Sequence, residues 1–320
     1  MPLQLDRRTL LKASALFAAQ PLLPLSTGHA ANLSASTITL FDSYAHVISP
    51  DQQRYMPNPL GGEKLGANTY EAPMTGEDLI SAMNKAGVAR ACIIHRAFVY
   101  GYDCSLVFET ARAYPQRFSA VPVINPNDPN IINNIEKWMT QYRIPAIRIM
   151  GENHNEAVAW IDQPSTLRVW DASADMGLPV EIELYPSNNI EGLQRITALL
   201  EKRPKAKAII DNLAEVTPSS DNSGFSDPWQ RASQLENLAF KVATRNLKQH
   251  STDGRDPAAF IRYAIDLYGS GRIMWGSNIN RNSEDYEAMV ALAINASAQL
   301  TAQEKANFLQ LTGESFFWPS

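Results

Sequence analysis

The chain has 320 residues, of which 45% are hydrophobic and 19% charged, and its formal net charge at pH 7 is −5. That length can bury a large core, and the composition is that of a globular protein rather than a disordered one. An acidic balance without a basic stripe leaves no electrostatic footprint for nucleic acid or an anionic membrane surface, so neither is expected as a partner.

In chain order, residues 1–30 read as an export signal. A basic start is followed by an apolar stretch from Leu10 to Leu25, broken by Gln20 and two prolines, and by small residues near Ala30. The run is too short and too interrupted for a membrane span, so no span is expected once the signal is cleaved. Arg7-Arg8 followed by Leu10-Leu11-Lys12 resembles the twin-arginine type, although Asp6 stands where that signal has Ser or Thr. Cleavage after Ala30 would place residues 31–320 in the periplasm; an uncleaved anchor is the alternative.

From Ile38 onward short apolar runs alternate with helical patterns. Strands are expected over 38–42, 91–95, 118–124, 146–150, 178–184, 206–211, 238–243 and 272–277, with amphipathic helices at 76–87, 133–143 and 256–269 among those between them. The strands are continuous apolar runs, the pattern of a parallel sheet covered on both faces. Eight of them, with no G-x-G-x-x-G after the first, predict an α/β fold of the (β/α)8 TIM-barrel type forming one domain after the signal. The insertion at 49–75 is rich in Pro, Gly and Asn and is expected to help build the site. Cys92 and Cys104 give no disulfide framework; two free thiols are the default and a bridge between them the alternative.

In such a barrel the chemistry sits at the C-terminal strand ends. The polar residues there are Asp42, Tyr44 and His46 after the first strand and His95-Arg96 after the second. Arg148 follows on the fourth, Glu183 and Tyr185 on the fifth, Asp211-Asn212 on the sixth, Lys241 on the seventh, and Ser277-Asn278 on the eighth. Ser277 is not in a G-x-S-x-G elbow, so a serine hydrolase has little support.

The segments "DSYAHVISPDQQRY", "MNKAGVARACIIH", "YPQRFSAVPVINP", "AIRIMG", "MGLPVEIEL", "AIIDNL", "LAFKV" and "RIMWGSN" occur in an order and spacing that resemble the amidohydrolase-related superfamily, in the branch of 2-pyrone-4,6-dicarboxylate lactonase. The resemblance covers Leu40 to Pro319. It implies a barrel hydrolase, often with zinc or another divalent ion held by His-x-His, further histidines and an aspartate after strand eight; some lactonases of the branch resemble a metal-free version. This chain departs at the decisive positions. Tyr44 stands in place of the first histidine, Asn212 in place of the sixth-strand histidine, and Asn278 in place of the proton-handling aspartate. Amides do not titrate usefully, and zinc prefers nitrogen, sulfur and carboxylate ligands, so no metal and no other cofactor is expected.

What remains is His46, His95 and Glu183 as catalytic candidates, with Tyr44, Arg148, Tyr185, Asn212, Lys241 and Asn278 as ligand-binding ones. His95 is either a replacement base or a prop for the loop carrying Tyr100 and Tyr102. One of Glu181 and Glu183 is expected to face the barrel and the other the helices; an inward Glu183 would supply the lost acid–base function. Arg148 and Lys241 suit an anionic, carboxylated ligand, or else form an internal salt-bridge network with Asp42, Asp211 and Glu183. Arg245 and Arg281 are looser candidates, and His154 and His250 are expected in solvated loops. Two functions follow: a metal-independent periplasmic hydrolase of a lactone or related cyclic ester, or a catalytically silent barrel that binds an anionic small molecule or a protein partner.

Overall fold

A computed structural model describes residues 39–62, 64–66, 68–153, 157–218, 224–252 and 254–318. The expected export signal at 1–30 and His154 lie outside these residues.

Eight strands run in parallel: β1 (Leu40–Ala45), β2 (Val88–Ile94), β3 (Phe118–Val121), β4 (Ile147–Ile149), β5 (Val180–Ile182), β6 (Ala208–Ile210), β7 (Leu238–Ala243) and β8 (Ile273–Gly276). They pair in sequence order within two sheets, β1-β2-β3 and β4-β5-β6-β7-β8. Parallel bridges Val123↔Arg148 and Ala45↔Ile279 join the two sheets at both edges and close the barrel. The expected helices form at Gly76–Ala86, Ile131–Tyr142 and Pro257–Tyr268. The first starts on a Thr75–Asp78 capping box and ends at Gly87, whose φ of 73° favours glycine.

Beyond an irregularity in β1, side chains alternate along the strands. Ile93, Ile147, Ile149, Val180, Ile182, Ile210, Phe240 and Val242 face outward into the layer beneath the helices. Phe41, Cys92, Val121, Ala146, Ile209, Ala239 and Met274 point inward as a second, smaller cluster. Both cysteines are buried and free, and burial pushes the Cys92 thiol up to about 12, so it behaves as an inert apolar group.

The C-terminal helix Thr312–Phe317 brings Phe317 into the inner cluster. A β-carbon on Gly313 would come within 2.7 Å of Phe41 Cδ1, so glycine permits that approach. Phe317→Ala is expected to cost about 3–5 kcal/mol in urea unfolding, because a fully buried aromatic leaves a cavity the short strands cannot close.

Candidate functional site

β1 carries an irregularity between Asp42 and Ala45. Strict alternation would put Phe41, Ser43 and Ala45 on one face, but the shift places Phe41 and Tyr44 together inside while Ala45 joins the outer layer. Asp42 is thereby left at the seam with β8. It accepts from Ser277 N (2.8 Å), Ser277 Oγ (2.6 Å), Tyr44 N (3.0 Å) and Tyr286 Oη (2.9 Å). Burial raises its pKa against those four donors. Asp42 is a closure clamp and takes no part in the salt-bridge network that was the alternative reading of Arg148 and Lys241.

That network does exist, built from other residues. Arg148 Nη2 contacts Asp211 Oδ2 at 2.6 Å and Glu183 Oε2 at 2.9 Å, and donates to Tyr44 Oη at 3.0 Å. Its Nε lies 3.5 Å from Glu181 Oε1. Lys241 Nζ, fully buried, pairs with Glu181 Oε2 at 2.6 Å and approaches Asp211 Oδ1 at 3.5 Å. The same ammonium sits over the rings of Tyr44 and Phe317, 4.7 and 4.4 Å from their centroids. Two cations therefore face three carboxylates inside the barrel, two of them fully buried.

Glu181 and Glu183 both point inward, correcting the expectation that they part: residues two apart on a strand share a face. Glu181 is fully buried, whereas the Glu183 side chain keeps 16% exposure and reaches the rim, where Tyr185 Oη donates to it at 3.1 Å. Asp211 is pushed up to about 8 by burial and then by Glu181, against Arg148 and Lys241. The short Arg148 contact is compatible with this, since a protonated carboxyl still accepts through its carbonyl oxygen.

His46 Nδ1 donates to Ile94 O at 2.8 Å, and Nε2 lies 3.1 Å from the Asn278 amide, drawn with Oδ1 towards the ring. Burial, then Arg96 and Arg148, lower the His46 pKa well below its ordinary value, so the ring is neutral. Nε2 is then an acceptor, which requires the Asn278 amide to present its NH2. His95 turns away from the barrel: it follows the inward Ile94, and its Nε2 donates to Gly101 O at 2.9 Å. Burial lowers its pKa to about 4. Through Nε2 it props the 97–104 segment, one of the two roles expected for it, while Nδ1 has no partner. His250 is buried, contrary to expectation, stacked 3.6 Å from Phe260 with Nδ1 donating to Asn246 O.

Arg96, just before the helix Ala97–Tyr100, is half-buried with Nε unpartnered, and its charge is felt at His46. Arg245 pairs with Glu215, and Arg281 is exposed. Asn212 is buried, with both amide atoms unpartnered. The 49–75 insertion packs on the loops around it: Ser49 N donates to Tyr100 Oη at 3.0 Å, and Pro73 bridges Arg281.

The donor chemistry here does not suit a divalent ion: the Lys241 ammonium lies against the Tyr44 ring, and Asn212 and Asn278 offer neutral amides rather than imidazole or carboxylate groups. Among the described residues no group of three or more His, Cys, Asp or Glu could hold a metal. Nor is any helix among them long and apolar enough to cross a membrane.

No curated protein matches the chain. Solved structures do. A probable 2-pyrone-4,6-dicarboxylic acid hydrolase from Acinetobacter baumannii with citric acid bound is 15% identical at a TM-score of 0.64, over 87% of this chain and 99% of that one. An amidohydrolase from Burkholderia multivorans with bound zinc is 14% identical at 0.67, over 87% and 98%. A 5-carboxyvanillate decarboxylase from Sphingomonas paucimobilis is 16% identical at 0.63, over 89% and 100%. At such identities these likenesses speak for the barrel alone. The amidohydrolase family model matches residues 42–317, from the Asp42 clamp through β8 to Phe317 on the barrel floor, so this chain belongs to the amidohydrolase family.

Proposed function

We propose that this family member opens a lactone or related cyclic ester of a small carboxylated molecule, without a metal ion, and does so in the periplasm after export by its twin-arginine-type leader. The observation that carries the reading is Glu183: of the interior carboxylates it alone reaches the rim, held there by Arg148 and Tyr185. Glu183 takes a proton from the attacking water as the water oxygen adds to the ring carbonyl. The acyl C–O bond then breaks, and the proton held by Glu183 passes to the leaving ring oxygen, giving a hydroxyl and restoring the carboxylate. Arg96 and the amides of Asn212 and Asn278 supply donors for the carboxylate and the carbonyl, while neutral His46 holds the Asn278 amide. The relatives lend support on ligand class, one carrying citric acid and another named for a carboxylated aromatic.

One observation favours the second reading, a silent barrel that binds a carboxylated molecule. Arg148 and Lys241 are both neutralised by interior carboxylates, and both barrel-end histidines are hydrogen-bonded to protein groups. The test is a lactone screen with the purified protein, with and without chelator, alongside metal analysis. Turnover that survives chelation and falls about 100-fold or more in Glu183→Gln supports the hydrolase. Absent turnover with a Tm raised by citrate supports the binding protein, and stoichiometric zinc overturns the metal-free claim.

A further inference from the structure

After β6 the backbone enters a conformation that L-residues rarely hold in succession. Asn212, Leu213, Ala214 and Glu215 have φ of 52°, 49°, 51° and 55°, one turn of left-handed helix without a glycine. A β-carbon crowds the following carbonyl in that region, so each such residue is strained. All four are buried.

Three side chains from three helices hold the turn by its carbonyls. Asn246 Nδ2 donates to Asn212 O at 3.0 Å, Trp229 Nε1 to Leu213 O at 3.0 Å, and Asn189 Nδ2 to Glu215 O at 3.1 Å. Asn246 also accepts from Ala243 N at 3.0 Å. It thus ties the end of β7, the strand that carries Lys241, to the residue that follows Asp211. Against this restraint stands one unmet group: the Asn212 side chain is 1% exposed, and neither Oδ1 nor Nδ2 has a partner. An unpaired buried amide is costly, so the fold retains at this strand end a donor and an acceptor open to a bound group.

We infer that Asn246 is a positioning residue of this site, which acts through the Asn212 carbonyl to hold the left-handed turn and thereby fixes the unpaired Asn212 amide for a ligand carbonyl or carboxyl group. The ligand part rests on the function proposed above; the turn and its restraint do not. Asn212 Nδ2 serves the carbonyl oxygen, and Oδ1 serves a neighbouring hydroxyl or N–H, which a donor-only arginine pocket could not.

A double-mutant cycle between Asn246→Ala and Ala214→Gly tests it, with the Asn212 side-chain amide signal followed by NMR and assigned by its loss in Asn212→Asp. Glycine is at ease at positive φ, so Ala214→Gly holds or raises Tm despite the lost methyl, whereas a right-handed helix position would lose stability. The helix-cap contribution of Asn246 is common to both arms and cancels. Asn246→Ala is therefore expected to lower Tm less in the Ala214→Gly background, and to shift an Asn212 signal that returns in the double variant. A fall in Tm with Ala214→Gly overturns the turn. Additive effects with an unmoved Asn212 signal overturn the positioning role and leave Asn246 a simple cap. Citrate and 2-pyrone-4,6-dicarboxylate serve as ligand probes: if neither moves the Asn212 signal of the wild-type protein, the ligand reading fails while the cycle still decides the turn.

Discussion

Lys241→Met is expected to destabilise the protein by about 3–5 kcal/mol in urea unfolding, because it leaves buried carboxylates without their counter-charge. Lys241 is fully buried, and Glu181 relies on it at 2.6 Å, with only a 3.5 Å contact to Arg148 besides. Methionine matches the length of the stem, so the loss is one of charge rather than of volume. Removing both partners is a different matter. Lys241→Met combined with Glu181→Leu should recover most of the loss, since an apolar pair of similar size carries no desolvation cost. A loss under about 1 kcal/mol for the single variant would mean that water or another group compensates Glu181.

The pH dependence of stability provides the second large effect. Asp211 holds its proton in the folded barrel up to about 8, against an ordinary value of 3.8. Between those values the folded state binds a proton that the unfolded chain has released. This contribution to stability is therefore complete at low pH, falls as pH rises through the window, and is gone above it. Charge balance gives the same answer: two cations against three carboxylates become neutral once one carboxyl is protonated. Asp211→Asn retains the neutral shape and cannot titrate. Its stability should fall less steeply over that window and equal or exceed the wild type at pH 8. An unchanged slope would place the proton on another interior carboxyl.

Much of the barrel was legible. The runs 238–243 and 272–277 became β7 and β8 nearly residue for residue, because strands covered on both faces are predominantly apolar. Arg148 and Lys241 were recognisable as pocket-facing cations, but their neutralisation by Glu181 was not. The missing step was parity: Glu181 and Glu183 share a face, so both carboxylates meet Arg148. The β1 irregularity and the left-handed turn lay beyond sequence reading for another reason. Both are imposed by distant partners, Ser277 and Tyr286 on Asp42, and Asn246, Trp229 and Asn189 on residues 212–215.

The Asp42 clamp sits on a seam whose two sides are far apart in the chain. Ser43 Oγ donates to Trp275 O, Ser277 N to Asp42, and Asn278 N to Tyr44 O, each pairing across more than 230 positions. Loop-closure entropy makes such contacts late to form, so the barrel should close in its slowest folding step. Until then β1 and β8 are open sheet edges with unmatched backbone groups, the kind of surface on which chains pair with one another. Gly276 lets the strands meet there, since a β-carbon at that position would collide with Tyr44 Cβ. The yield of folded protein, rather than its final stability, should be the property most sensitive to changes along this seam.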